Sequence, residues 1–78
     1  MNILEQVISI AKENFNDEEL NPTVKIEDVN GFDSMALVQF TIELETNFNV
    51  EINDEEISRS LTFQELSDIL EKKVNDSL

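Results

Sequence analysis

One hydroxyl in this chain stands where a helix start would give it particular chemistry. Asn30-Gly31-Phe32-Asp33-Ser34 leads into an apolar-patterned run from Met35 to Phe48. Asn-Gly is a turn pair, because glycine takes a positive φ at no steric cost. Asp33 is a good helix N-cap, with a carboxylate that accepts from the orphan N–H groups of the first turn. Ser34 then takes the first helical position, exposed and beside the positive end of the helix dipole. A hydroxyl placed there suits a phosphate ester, since free N–H groups and the dipole both favour an anion. Asp-Ser before an apolar run is also a plain capping signal, and the dipeptide alone leaves both readings open.

Other chemistries are excluded by residue type. The 78 residues include no Cys, His, Trp or Tyr. Disulfides, Cys/His metal sites, thiolate nucleophiles and an imidazole base are therefore out, and a Ser-His-Asp arrangement cannot form. The acids before Gly31 invite comparison with a calcium loop. Placing Gly31 at the sixth position puts Ile26 first and Leu37 twelfth, where carboxylates are required, so that reading fails. Neither a catalytic residue nor a metal site is expected.

The elements that must position Ser34 follow from periodicity. Residues 3–15 read as a first helix, with Ile3, Leu4, Val7, Ile8, Ala11 and Phe15 at helical spacing and Asn2 as cap. Residues 16–33 form a long connection, pinned by Leu20, Val24, Ile26, Val29 and Phe32; loops of this length tend to serve function. At about 100° per residue, Leu37, Phe40, Thr41, Leu44 and Phe48 make the core face of the second helix. Met35, Val38 and Ile42 form a second stripe, either an exposed contact patch or packing against a neighbouring helix. Residues 53–59 read as a short, acid-rich helix capped by Asn53. Thr62-Phe63-Gln64-Glu65 is a capping box, with Leu61 stapled onto Leu66. Phe63, Leu66, Ile69, Leu70 and Val74 form the core face of the last helix, with Lys72-Lys73 near its end, and residues 75–78 are expected to fray. The expectation is an all-α fold: a small four-helix bundle, three main helices plus one short one, in a single domain over 1–78.

The charge narrows the partners. Eighteen acidic and five basic residues give a formal net charge of −13. A field of that sign disfavours nucleic acid and anionic membranes and steers toward basic protein surfaces. No apolar run is long enough to span a bilayer, and Met1-Asn2-Ile3-Leu4-Glu5 lacks the basic and apolar regions of a secretory signal. A cytoplasmic monomer without membrane insertion is expected.

At Gly31, Asp33-Ser34-Met35, Val38, Leu44-Glu45, Phe48, Val50-Glu51-Ile52 and Asp54-Glu55-Glu56 the sequence resembles the acyl carrier protein family, including peptidyl and D-alanyl carriers. The resemblance covers essentially the whole chain. It implies a 4′-phosphopantetheine arm joined to Ser34 by a phosphodiester, its thiol bearing acyl or aminoacyl intermediates as thioesters for fatty-acid, polyketide or related specialised biosynthesis. It implies a non-catalytic carrier, with Asp33 capping the helix and helping present the hydroxyl to a phosphopantetheinyl transferase. Met35, Val38 and Ile42 would be the apolar contact, and Glu45, Asp54, Glu55 and Glu56 the electrostatic guide for acyl-loading and acyl-processing enzymes with basic, partly apolar docking patches.

Departures from the housekeeping fatty-acid type are Met35 in place of Leu, and Ala36, Gln39, Thr46 and Asn47 where acids are usual. They keep a D-alanyl or aminoacyl carrier open. A different class, an unmodified acidic interaction module with Ser34 as a cap only, is the competing reading.

Overall fold

The computed structural model describes residues 2–53 and 55–76, and its order is α1 (Ile3–Phe15), a 3₁₀ turn (Ile26–Asp28), α2 (Ser34–Phe48) and α3 (Phe63–Asp76). Helix α1 packs against both α2 and α3, and no strand forms among the described residues. Each helix begins where a side chain can satisfy its first N–H groups. Asn2 accepts from the Glu5 N–H at 2.7 Å, and the Asp33 carboxylate accepts from the Ala36 N–H at 2.7 Å. At α3 the capping box is reciprocal: the Glu65 N–H donates to Thr62 Oγ1 at 3.1 Å, and the Thr62 N–H to Glu65 Oε1 at 2.9 Å. Helices α1 and α2 both end at an asparagine in the left-handed region, Asn16 (φ 54°) and Asn49 (φ 53°), a conformation Asn tolerates better than most residues.

The core is aromatic at its centre. Phe15, Phe40 and Phe63, one from each helix, are fully buried, with ring centroids 5.3, 6.0 and 6.4 Å apart and tilted or edge-on. Each such pair contributes about 0.5–1.5 kcal/mol beyond the burial of area. Around them lie Val7, Ile10, Ala11, Leu20, Ile26, Val29, Leu44, Ile52, Leu66 and Leu70. Ile10 replaces the expected Ile3, Leu4 and Ile8 as a fully inward residue of α1; those three are half-buried. Leu37, Thr41 and Phe48 of α2, and Ile69 and Val74 of α3, are likewise half-buried. Leu61 is half-buried against the core that contains Leu66.

The long connection is tied down as expected, through Leu20, Ile26 and Val29 in the core, with Val24 and Phe32 half-buried. Backbone bonds stitch it to the chain entering α3. The Ile26 N–H donates to the Leu61 carbonyl at 2.9 Å, the Glu27 N–H to that of Arg59 at 3.0 Å, and the Phe63 N–H to that of Val24 at 3.3 Å. Asp17 adds a clasp from within the loop. It is buried, and its two carboxylate oxygens accept from the N–H groups of Glu19 and Asn30 at 3.0 and 3.1 Å.

One expectation is corrected. No helix is assigned among the described residues of 53–59; the chain makes turns there, with the Glu56 N–H donating to the Asn53 carbonyl and the Leu61 N–H to that of Ser58. The Arg59 and Leu61 carbonyls accept from the Glu27 and Ile26 N–H groups, so non-local bonds tie the end of this segment to the 26–27 backbone and tertiary context overrides its local helix signals. The four-helix count therefore becomes three helices and a 3₁₀ turn, within the same all-α class. Asn75 and Asp76, expected to fray with the last two residues, are assigned to α3. Helix α3 runs through Asp76, and Lys73 in its last turn is ion-paired with Glu56. Residues 77 and 78 lie outside the described set.

Candidate functional site

Gly31 sets the approach to α2. Its φ is +77°, and a Cβ built there would stand 2.2 Å from the Phe15 carbonyl oxygen. Only glycine meets both conditions, a left-handed backbone and a contact with the end of α1. The chain then turns, with the Phe32 N–H donating to the Val29 carbonyl at 3.2 Å, and Phe32 lays its ring against Phe15 at 6.2 Å between centroids. Asp33 is extended (φ −153°, ψ 166°) and caps, so Ser34 is the first residue of α2 and is exposed.

A guanidinium completes the site. Arg59 Nη2 donates to Ser34 Oγ at 3.2 Å, and its Cζ lies 5.4 Å from the Phe32 ring centroid, within cation–π range. The hydroxyl thus sits between a capping carboxylate and a cation. The Asp33 carboxylate accepts from the Ala36 N–H, and the guanidinium is a donor with no acceptor site.

Beyond Arg59 runs a groove of about 310 Å³ between α2 and the 52–59 segment. Leu37, Val38, Ile42, Ile52 and Ile57 give it an apolar wall, and Thr41, Glu45 and Asn53 add polar groups. The second stripe of α2 is open to solvent: Met35 is 83% exposed, Val38 59% and Ile42 48%. The neighbouring-helix reading of that stripe is thereby corrected, because α1 and the core take the opposite side of α2. Val38 and Ile42 rim the groove, and Met35 follows directly on Ser34.

The expected acidic residues divide. Glu45 is half-buried at the groove, and its Oε2 accepts from the Ile52 N–H at 3.0 Å, fixing the turn out of α2. Glu55 is exposed, and Asp54 lies outside the described residues. Glu56 pairs with Lys73 and also accepts from the Asn53 N–H. The Lys73 hydrogen bond foremost, then the Asn53 backbone, holds its carboxyl below the ordinary value of 4.5. Arg59 is the site residue that sequence reasoning passed over, as the tail of an expected helix. Its one signal was being the only arginine in the chain.

The chain is similar to known proteins over most of its length. The family described as a phosphopantetheine attachment site matches residues 2–70. The acyl carrier proteins of Chlorobium phaeobacteroides and Chlorobium phaeovibrioides are each 35% identical to this chain over 66 residues, 85% of either length. That of Buchnera aphidicola subsp. Baizongia pistaciae is 37% identical over 54 residues, 69% of this chain and 68% of its own. The chain belongs to the acyl carrier protein family. The prosthetic group of this carrier is a covalently attached 4′-phosphopantetheine. The residues present fit such a group: an exposed hydroxyl for the ester, a cation for the phosphate, and a partly apolar groove beside both. No helix among the described residues of the carrier is long and apolar enough to cross a membrane.

Proposed function

We propose that this chain is a stand-alone, non-catalytic carrier whose Ser34 bears the phosphopantetheine arm, serving fatty-acid, polyketide or a related specialised biosynthesis from the cytoplasm. The observation that carries the reading is the exposed Ser34 hydroxyl at the first position of α2, held between the Asp33 cap and the Arg59 guanidinium. When attached, the arm supplies a terminal thiol on which acyl or aminoacyl groups ride as thioesters. The chain's own residues hold and present the serine. Asp33 fixes the first turn, and Gly31 with Phe32 fixes the approach to it. The base that removes the Ser34 proton belongs to the modifying transferase, since the recorded partner of Oγ is the Arg59 guanidinium, a donor.

Docking by partner enzymes is assigned to Met35, Val38 and Ile42 with the acids Glu45, Asp54, Glu55 and Glu56. From Ser34 to Ile42 the helix carries no ionisable side chain, and the first acid is Glu43. Along α2, partners therefore meet uncharged, largely apolar residues after the serine and acidic ones further on. That distribution favours a specialised set of enzymes whose docking patches are apolar at the centre and basic at one edge.

Loading tests the reading. The modified protein, given an acyl- or aminoacyl-activating enzyme and substrate, gains an acyl mass that hydroxylamine releases, and Ser34→Ala gains none. An unmodified interaction module predicts the reverse: no labile acyl group in either protein, and full partner binding by Ser34→Ala.

A further inference from the structure

We propose that Arg59 is the phosphate-binding residue of this carrier, pairing with the phosphodiester on Ser34 and holding the start of the arm on the groove side of α2. The inference rests on Ser34 being the attachment site and goes beyond it, to a residue outside the helix that bears the serine.

Three observations carry it. Arg59 Nη2 already lies 3.2 Å from Ser34 Oγ, the atom that becomes the ester oxygen. The non-bridging phosphate oxygens would lie two bonds beyond that atom, and the recorded bond to Ser34 occupies one of the five N–H donors of the guanidinium. The planar fork matches phosphate geometry, and charge-assisted bonds of this type are about twice as strong as neutral ones.

The residue is also held in place from two sides. Its carbonyl accepts from the Glu27 N–H at 3.0 Å, and its guanidinium lies over Phe32, which packs on Phe15 of the core. Less side-chain freedom is then lost when the phosphate is bound. Among the described residues, the ion pair present is Lys73–Glu56, so no carboxylate of that set competes for Arg59.

Charge supplies the need. The phosphodiester adds a negative charge to a chain already at −13, next to the Asp33 carboxylate. Like charges this close destabilise the folded state, and a cation in contact with both the serine and its approach offsets that. Arg59 also lines the groove with Val38, Ile42 and Ile57, so a phosphate held by it directs the arm along that side.

The test compares wild type, Arg59→Gln and Arg59→Lys, each with and without the arm, by intact mass, ³¹P NMR and melting temperature. Intact mass first establishes the modification on wild type and its loss in Ser34→Ala. The expected result is a phosphodiester ³¹P resonance shifted between wild type and Arg59→Gln, with Arg59→Lys between them. The melting temperature should respond to the arm more favourably in wild type than in Arg59→Gln, and added salt should narrow that gap. Identical ³¹P positions and identical responses to the arm in modified wild type and Arg59→Gln would overturn the role of Arg59 and leave the carrier reading standing. A folded wild type that accepts no arm would overturn both.

Discussion

Ser34 and Asp33 are adjacent, yet their side chains do separable work. The Asp33 carboxylate carries the capping bond to Ala36, whereas the Ser34 hydroxyl accepts from Arg59. Asp33→Ala is therefore expected to cost about 0.5–2 kcal/mol. Ser34→Ala should stay within about 0.5 kcal/mol, as for an exposed surface change, while removing the modification. Urea unfolding of the two variants checks the contrast; equal losses would mean that the serine shares in capping. Gly31 is the third decisive residue. Gly31→Ala should cost about 1–2 kcal/mol for the left-handed backbone alone, with more from the clash against the Phe15 carbonyl. Its denaturation midpoint should fall below that of Asp33→Ala. The glycine's turn was legible from Asn30-Gly31, but its approach to α1 was not, because the partner atom lies sixteen positions back and belongs to the backbone.

Each helix was legible because its ends are written locally. Asn2, Asp33 and Thr62-x-x-Glu65 cap the starts, and the apolar spacing of α2 separates a core side from the Met35, Val38 and Ile42 stripe that proves exposed. The 53–59 segment was not legible, since its local signals favour a helix while backbone bonds from residues 26 and 27, some thirty positions away, tie down its end at the Arg59 and Leu61 carbonyls. The same non-local stitching brings Arg59 to Ser34, and no sequence spacing announces it. The segment is also fastened at Glu56 by Lys73 of α3, which makes a pH test possible. Glu56 has a lower pKa folded than unfolded, chiefly through the Lys73 hydrogen bond. Its stabilising contribution is therefore complete above its ordinary value of 4.5 and is lost as the pH falls through the folded value. The melting-temperature difference between wild type and Lys73→Gln should hold steady near neutral pH and close in acid. A difference that persists unchanged in acid would assign the effect of Lys73 to its stem and not to the pair.

At the scale of the whole molecule, the core of Phe15, Phe40 and Phe63 works against a net charge of −13. Self-repulsion at that charge weakens the compact state, and counterions screen it. Added MgCl₂ should raise the melting temperature, and a flat or falling trend would show that repulsion is not a significant cost. The acidic field, the uncharged start of α2 and the exposed apolar stripe are the features on which the proposed docking of enzymes beside Ser34 rests. The claim on which this account depends is that Ser34 takes the arm. Its most direct test is the intact mass of wild type and Ser34→Ala after incubation with coenzyme A, magnesium and a broad-specificity phosphopantetheinyl transferase. The account predicts a gain of one phosphopantetheine on wild type and none on the variant. A folded wild type, free of any arm at the outset, that gains nothing across several transferases would contradict it.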